Sequence, residues 1–330
     1  MSTIKWGILG CGRIATKFAA DLALVEGAEL YAVASRSIAN AQEFSSQFPS
    51  KYVYNNYHDL VTNPGVDVIY IATPHSHHHE HTMLCLSQNK AVLCEKAFAI
   101  NLAQASEMVR EARSRKVFLM EALWTKFLPH YNKVREMIAN GDLGHVRSLL
   151  ANFGFTPSDP VPDRMYNPSL GGGTLLDIGI YNVFMALSFL GKPDEIDAWK
   201  TSSESGVDAQ CAIIFRYNNG SMAQLFSTFQ SNLQTEADIS GDHGRIRLTS
   251  RFYEPSTTIE FYPGRVDSRQ VIPVEKEGGW GYQYEIRHVQ DCLRNGMTES
   301  PVMTLDDSLT MMEVLDEIRR KAGIIYPADK

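Results

Sequence analysis

Cysteine is scarce and arranged without pattern: Cys11, Cys85, Cys94, Cys211 and Cys292 are odd in number, widely spaced and free of any CxxC. That excludes a disulfide framework and a cysteine-rich zinc module, and it points to reduced thiols, most of them packing residues, in a cytoplasmic protein. Long runs of one charge are missing too. With 21% charged residues and a formal net charge of -7, nothing invites nucleic acid or an anionic membrane. No apolar stretch is read as approaching the roughly twenty residues that a bilayer crossing needs. The opening MSTIKWGILG has no basic region, no long hydrophobic segment and no small-residue cleavage site. Internal repeats and low-complexity tracts are absent. What is present is a 44% apolar chain of 330 residues, longer than one core ordinarily supports, so two domains are expected.

The first third alternates apolar strands with amphipathic helical stretches, the pattern of a parallel sheet covered on both faces. Strands are expected at Ile4 to Leu9, Leu30 to Ser35, Val66 to Thr73, Ala91 to Cys94 and Phe118 to Ala122. Helices are expected at Ile14 to Leu24, Ala39 to Phe48, His78 to Ser87 and Leu102 to Arg115, the last capped by Asn101 with Gln104 three positions on. Beyond Trp124 the texture changes. A helix from Tyr131 to Ala139, a strand from Val146 to Phe155, a proline-rich loop and a helix from Thr174 to Leu190 lead into several strands in succession. Among these, AQCAIIFRY and SMAQLFSTF flank Asn218-Asn219-Gly220, a hairpin signal. Helices return at Tyr284 to Arg294 and Leu305 to Lys321. The expected architecture is α/β: an N-terminal Rossmann dinucleotide-binding domain over 1–122 and a C-terminal α+β domain over 123–330, built on a largely antiparallel open sheet.

The strongest chemical signal is GILGCGRIA. Gly10, Gly12 and Ala15 stand at G-x-G-x-x-G/A spacing after a strand and before a helix. Gly10 permits the tight turn, Gly12 lets backbone approach a pyrophosphate, and Ala15 lets helix pack on strand. Arg13 and Ile14 open the helix whose free N–H groups would face the phosphates. An NAD site usually presents a carboxylate about twenty residues on. Here the second strand ends in Ser35 and Arg36 instead, which suits a 2'-phosphate, so NADP is the expected cofactor with NAD possible.

Five of the ten histidines fall in the stretch YIATPHSHHHEHT, between His75 and His81. It follows an apolar strand, and ligands of parallel sheets sit outside the carboxyl ends of the strands. His77 and His81, like His75 and His79, are four apart, so a helix could align either pair for a metal. The only nearby acid, Glu80, is read as pointing off that face, and no metal is expected. Thr73, Pro74 and His75 are read as flanking the nicotinamide, with one histidine hydrogen-bonded and the rest exposed.

GILGCGRIA, IATPHSHHHEH, AVLCEKAFAIN, FLMEALWTKFLP and GGGTLLDIGIY together resemble the Gfo/Idh/MocA oxidoreductases, in the same order and over almost the whole chain. Within that family they are most similar to the branch containing dimeric dihydrodiol dehydrogenase, the NADP-dependent D-xylose dehydrogenases and glucose-fructose oxidoreductase. The family's Glu-Lys-Pro falls on Glu95, Lys96 and Ala97. The resemblance implies that Lys96 is an active-site lysine and Glu95 lies with the cofactor, while Ala97 replaces the usual proline. It implies a cofactor-side place for His78 and a substrate-pocket wall at Trp124. In GGGTLLDIGIY, Asp177 and Tyr181 share a helical face, and Tyr181 stands where this branch has its general acid/base. A free phenol titrates near pH 10, and a neighbouring ammonium would lower that value. Asp177 would orient Lys96 or bind a substrate hydroxyl.

The implied reaction is hydride transfer between nicotinamide C4 and a carbinol carbon of a sugar, polyol or trans-dihydrodiol. Tyr181 would exchange the proton while Lys96 polarises the oxygen. A homodimer is expected from the same resemblance. Two other readings stand beside it: a sugar-sugar oxidoreductase that holds its NADP permanently, and a non-enzymatic NADP-binding sensor.

Overall fold

A computed structural model describes residues 2–264 and 268–330. The chain divides into two compact units, Met1–Lys126 with Glu277–Leu309, and Phe127–Lys276 with Thr310–Lys330.

In the first unit six strands form a parallel sheet: β1 (Ile4–Leu9), β2 (Ala28–Ala34), β3 (Tyr52–Tyr54), β4 (Val68–Ile71), β5 (Ala91–Glu95) and β6 (Leu119–Ala122). Their order is β3-β2-β1-β4-β5-β6. Every pairing in it is parallel. This is the doubly wound dinucleotide-binding topology, whose strand order reverses between β1 and β4 and opens a crevice at their carboxyl ends. β4, β5 and β6 are buried at every position, which is why they read as continuous apolar runs rather than alternating ones. The helices α1 (Arg13–Leu22), α2 (Ile38–Gln47), α3 (Tyr57–Thr62), α4 (His78–Ser87) and α5 (Leu102–Arg115) connect the strands. The Asn101 side chain caps α5 by accepting the Gln104 N–H at 3.0 Å. β3 and α3, three and six residues long, carry too little pattern to be read from sequence.

After α6 (Pro129–Ala139), the second unit holds an eight-stranded sheet: β7 (Val146–Gly154), β8 (Glu195–Ser202), β9 (Asp208–Arg216), β10 (Met222–Thr228), β11 (Ala237–Gly241), β12 (Gly244–Leu248), β13 (Ile259–Pro263) and β14 (Gln270–Ile272). All its pairings are antiparallel except β7 with β10. The expected hairpin joins β9 to β10 across Asn218–Gly220. α7 (Ile180–Leu190) lies against β7 and β10.

Two expectations need correction. The contiguous second domain over 123–330 differs from the observed division, because residues 277–309, including α8 (Tyr282–Arg294), pack with the first unit. The segment buries Tyr282, Ile286 and Val289 of α8, with Tyr282 stacked on Trp124, and a buried carboxylate fastens its start: Asp21 of α1 accepts the backbone N–H groups of Trp280, Gly281 and Tyr282 at 2.8–3.0 Å. α9 (Leu305–Ala322) begins in the first unit and ends in the second. The second correction concerns long apolar runs: Pro168–Leu190 is long and apolar enough to cross a membrane. Residues 171–186 are buried without exception, so this run has a protein core to fill. All five cysteines are free, and four are buried.

Candidate active site

The turn between β1 and α1 is built for close approach. Gly10 has φ +101°, and a Cβ there would sit 2.9 Å from Thr73 Cγ2. Gly12 is different, since a Cβ on it would meet nothing within 4 Å. No side chain caps α1, so its first N–H groups need an acceptor from outside the helix. Ala15 is fully buried and lets α1 lie on the sheet. Arg13 is exposed and Ile14 half-buried at the mouth of this turn. An uncapped helix start beside open space fits a phosphate group.

At the end of β2, Ser35 is buried and its hydroxyl accepts the Ser37 N–H at 3.4 Å. Arg36 is exposed. Its guanidinium charge opposes the rise that burial causes in the nearby Tyr57 hydroxyl. No carboxylate occupies this strand end.

The histidine segment departs from its sequence reading. None of the five is exposed; His75, His78 and His81 are buried, and His77 and His79 half-buried. His78 Nδ1 lies 2.7 Å from the Ala97 carbonyl and Nε2 2.8 Å from the Thr73 carbonyl. Burial, the largest effect, lowers its pKa to about 4, and Lys96 adds to this, although two carbonyl acceptors favour the charged ring. Complete burial outweighs them, so the neutral ring donates to one carbonyl. His78 thus ties the loop after β4 to the residue after Lys96 instead of offering a nitrogen to a cofactor. Thr73 Oγ1 meets His81 Nδ1 at 3.0 Å, and His79 meets Glu107 at 2.8 Å. Pro74 ends the extended stretch before the short turn that holds His75. Glu80 does not point away from the pair: its carboxylate lies 3.7 Å from His77 Nδ1.

Lys96 is the one residue of 91–100 that is not buried, and it emerges beyond the carboxyl end of β5. The Lys96–Ala97 peptide bond is cis. Glu95 is buried beneath it, accepting the Tyr70 hydroxyl and, at 3.2 Å, the Lys96 N–H. Tyr70 in turn stacks on Phe18, ring centroids 3.7 Å apart. Glu285 of α8 is buried with neither carboxyl oxygen hydrogen-bonded, and burial followed by the charges of Glu95 and Asp21 pushes its pKa well up. Glu95 therefore belongs to a buried acidic cluster, which sequence placed with the cofactor. Trp124 is 4% exposed and stacks on Tyr282, ring centroids 4.5 Å apart.

In the second unit, Gly171 and Gly173 have φ of +74° and +114°. A Cβ at Gly173 would collide with the Asp208 carboxylate, which accepts the Thr174 hydroxyl and the Leu175 N–H at 2.7 Å each. The helix expected from Thr174 starts with a π-helical turn, Leu175–Gly179, before α7. Asp177 and Tyr181 both lie near Tyr253: burial and then the Glu254 carboxylate raise the Tyr253 hydroxyl pKa, the Asp177 charge adds a little more, and the Tyr181 and Tyr253 rings lie 4.8 Å apart. Arg164, from the proline-rich loop, donates to Asp177 Oδ1 at 3.2 Å.

Residues 4–123 match the family model described as an oxidoreductase family with an NAD-binding Rossmann fold, and residues 131–247 match the GFO/IDH/MocA C-terminal domain. The chain belongs to the Gfo/Idh/MocA oxidoreductases. It is 37% identical to the trans-1,2-dihydrobenzene-1,2-diol dehydrogenase of Homo sapiens over 335 residues, covering 99% of each chain. The enzyme of that name from Xenopus laevis is also 37% identical, over 98% of this chain and 99% of that one. Among solved structures, a 3-ketoreductase from Actinomadura kijaniata in complex with NADP and TDP-benzene superposes with a TM-score of 0.88 at 26% identity, covering 97% of this chain and 98% of that one.

For a Gfo/Idh/MocA oxidoreductase, the glycine turn, Thr73 and Lys96 gather at the carboxyl ends of β1, β4 and β5, and Asp177 and Tyr181 share an aromatic face in the second unit. Sequence reasoning missed Tyr253, Arg164 and Glu285. Tyr253 and Arg164 sit in loops without periodicity. Glu285 lies on an amphipathic helix where an acid would ordinarily be solvated.

Proposed function

We propose that this oxidoreductase uses NADP to oxidise a trans-dihydrodiol or a related cyclic polyol or sugar at one carbinol carbon. The uncapped start of α1 beside the open space at Gly12 carries the cofactor reading: it can hold a pyrophosphate. Ser35 and Arg36, with no carboxylate between them and the strand end, support the phosphorylated form. When bound, the nicotinamide supplies or accepts the hydride. Lys96 would hold the substrate oxygen and stabilise negative charge on it, and Tyr181 would move the hydroxyl proton. Asp177, already met by Arg164, would orient a substrate hydroxyl beside Tyr253. Dihydrodiols come first because the human and frog relatives carry that activity in their names at 37% identity along nearly the whole chain. Sugars remain on the panel because the motifs GGGTLLDIGIY and AVLCEKAFAIN resemble those of the D-xylose dehydrogenases and glucose-fructose oxidoreductase as well.

A homodimer belongs to the same proposal. Strand register puts Leu150, Met222 and Trp199 on one face of the eight-stranded sheet, exposed by 46%, 48% and 60%. Light scattering tests it directly.

NADP reduction across trans-dihydrodiols, aldoses and polyols tests the activity, with Lys96→Met and Tyr181→Phe beside the wild type. Turnover on one class, lost by at least about a hundredfold in both variants while NADPH still binds, is the expected result. Full activity in either variant would remove that residue from the chemistry. Binding of NADPH with no turnover on any substrate would favour a permanently held cofactor or a sensor.

A further inference from the structure

The cofactor reading leaves part of the histidine segment unused. His75 and His78 are buried, and His79 pairs with Glu107, but His77, Glu80 and His81 converge. One ligand atom from each lies within 4.8 Å of the others, the group of this kind found among the described residues. The His77 and His81 rings are 5.4 Å apart between centroids and inclined by only 24°. A pair of histidines four apart at a helix start, with a glutamate between them, is a spacing that lets one face of a helix ligate zinc.

We propose that His77, Glu80 and His81 form a site for a zinc-class divalent metal at the start of α4. Two imidazoles and a carboxylate suit Zn2+, Ni2+ or Cu2+ rather than Mg2+ or Ca2+, which prefer all-oxygen shells. With bonds near 2.1 Å, tetrahedral ligand atoms sit about 3.4 Å apart, so the three groups must close by no more than about 1.4 Å. The mobile members can do so: the His77 and Glu80 side chains are 29% and 75% exposed. His81 is the fixed one, held through Nδ1 by Thr73 Oγ1 at 3.0 Å and packed edge-on against Tyr57 at 4.7 Å. A ring oriented by a hydroxyl in this way has the outer-shell support that metal-ligating histidines usually show. A fourth position would be left to water.

The test uses the full chain, freed of metal by dialysis against a chelator and then titrated with Zn2+ in competition with a chromophoric chelator. The wild type is expected to take one equivalent that His77→Ala/Glu80→Gln does not take, with His79→Ala as a variant that keeps it. Both altered residues are partly exposed, so folding is retained, and circular dichroism checks it. Co2+ in place of Zn2+ should give a tetrahedral visible spectrum without the near-ultraviolet thiolate band that a cysteine site would add. Zinc should raise the wild-type Tm and leave that of the double variant unmoved. Equal zinc stoichiometry in wild type and double variant, no bound zinc in either, or a thiolate band overturns the assignment. Because none of these readouts involves NADP or substrate, the proposal fails or stands apart from the dehydrogenase reading.

Discussion

Glu121 offers a stability measurement that tests how its burial is tolerated. It lies in β6 at 0% exposure, and its Oε1 accepts the Phe98 N–H at 3.1 Å, with the Ser308 hydroxyl close enough to ease its charge. Burial above all, with a contribution from the Glu95 charge, raises its pKa from 4.5 to about 7. In the unfolded chain the same carboxyl ionises near its ordinary value. Between those two pH values the folded protein holds a proton that the unfolded chain has released, so raising the pH favours unfolding. The contribution is fully present below about 4.5, is lost progressively up to about 7 and is flat above. At 1.36 kcal/mol per pH unit the loss comes to ~3 kcal/mol. Glu121→Gln keeps the oxygen that meets Phe98 and abolishes the titration. Urea unfolding of both proteins at pH 5, 6, 7 and 8, followed by tryptophan fluorescence, gives the difference in stability at each pH, cancelling the other titrating groups. That difference should move toward the variant by roughly 2–3 kcal/mol from pH 5 to 8. A difference that stays constant across the range would refute the reasoning.

Three further outcomes follow from the geometry. Arg36→Ala should weaken NADP binding at least about tenfold more than NAD binding, as losing a charged hydrogen bond to a 2'-phosphate requires; equal losses by calorimetry would mean the guanidinium reads no phosphate. Asp21→Ala strands three backbone N–H groups at the entry to α8 and should cost ~3–5 kcal/mol in denaturant unfolding, with Asp21→Asn recovering more than half. Asp208→Ala removes the acceptor for Thr174 and Leu175 and should lower kcat through a disturbed start to the π-helical turn, while NADPH affinity stays within about twofold. Loss of NADPH binding would show a wider collapse than this local role allows.

Much of the fold was legible because the parallel sheet is buried on both faces and its strands are unbroken apolar runs. The glycine turn was legible for a related reason: Gly10 has no alternative at φ +101° against Thr73. The return of 277–309 to the first unit was not, because its contacts, such as Asp21 to the Gly281 N–H, join residues some 260 positions apart. Composition carries no trace of such a contact. His78 shows the same limit within a motif. Its position was evident, but its two carbonyl partners, Thr73 and Ala97, come from loops that only the folded sheet brings together.

The apolar run 168–190 shows where sequence and structure meet on function. A helix buried on all sides has no solvent to satisfy its polar side chains, so each one it keeps needs a protein partner or a task. Thr174 gives its hydroxyl to Asp208, and Asn182 donates to the Phe226 carbonyl at 2.9 Å; both fasten the helix to the sheet behind it. Asp177 and Tyr181 also reach further, although the Tyr181 ring keeps a contact with Phe153 of β7, centroids 6.0 Å apart. They turn to Tyr253 and Arg164, side chains from two loops, and loops are where a scaffold presents its chemistry. The π-helical turn over Leu175–Gly179 lies between the fastening residue Thr174 and Tyr181, and it sets the rotation between them. Lengthening or shortening that turn by one residue would rotate Tyr181 away from Tyr253 while leaving Thr174 in place. Asn182 lies beyond the same turn and would swing off the Phe226 carbonyl with it, so such a variant should lose both turnover and stability, read by kcat and by urea unfolding.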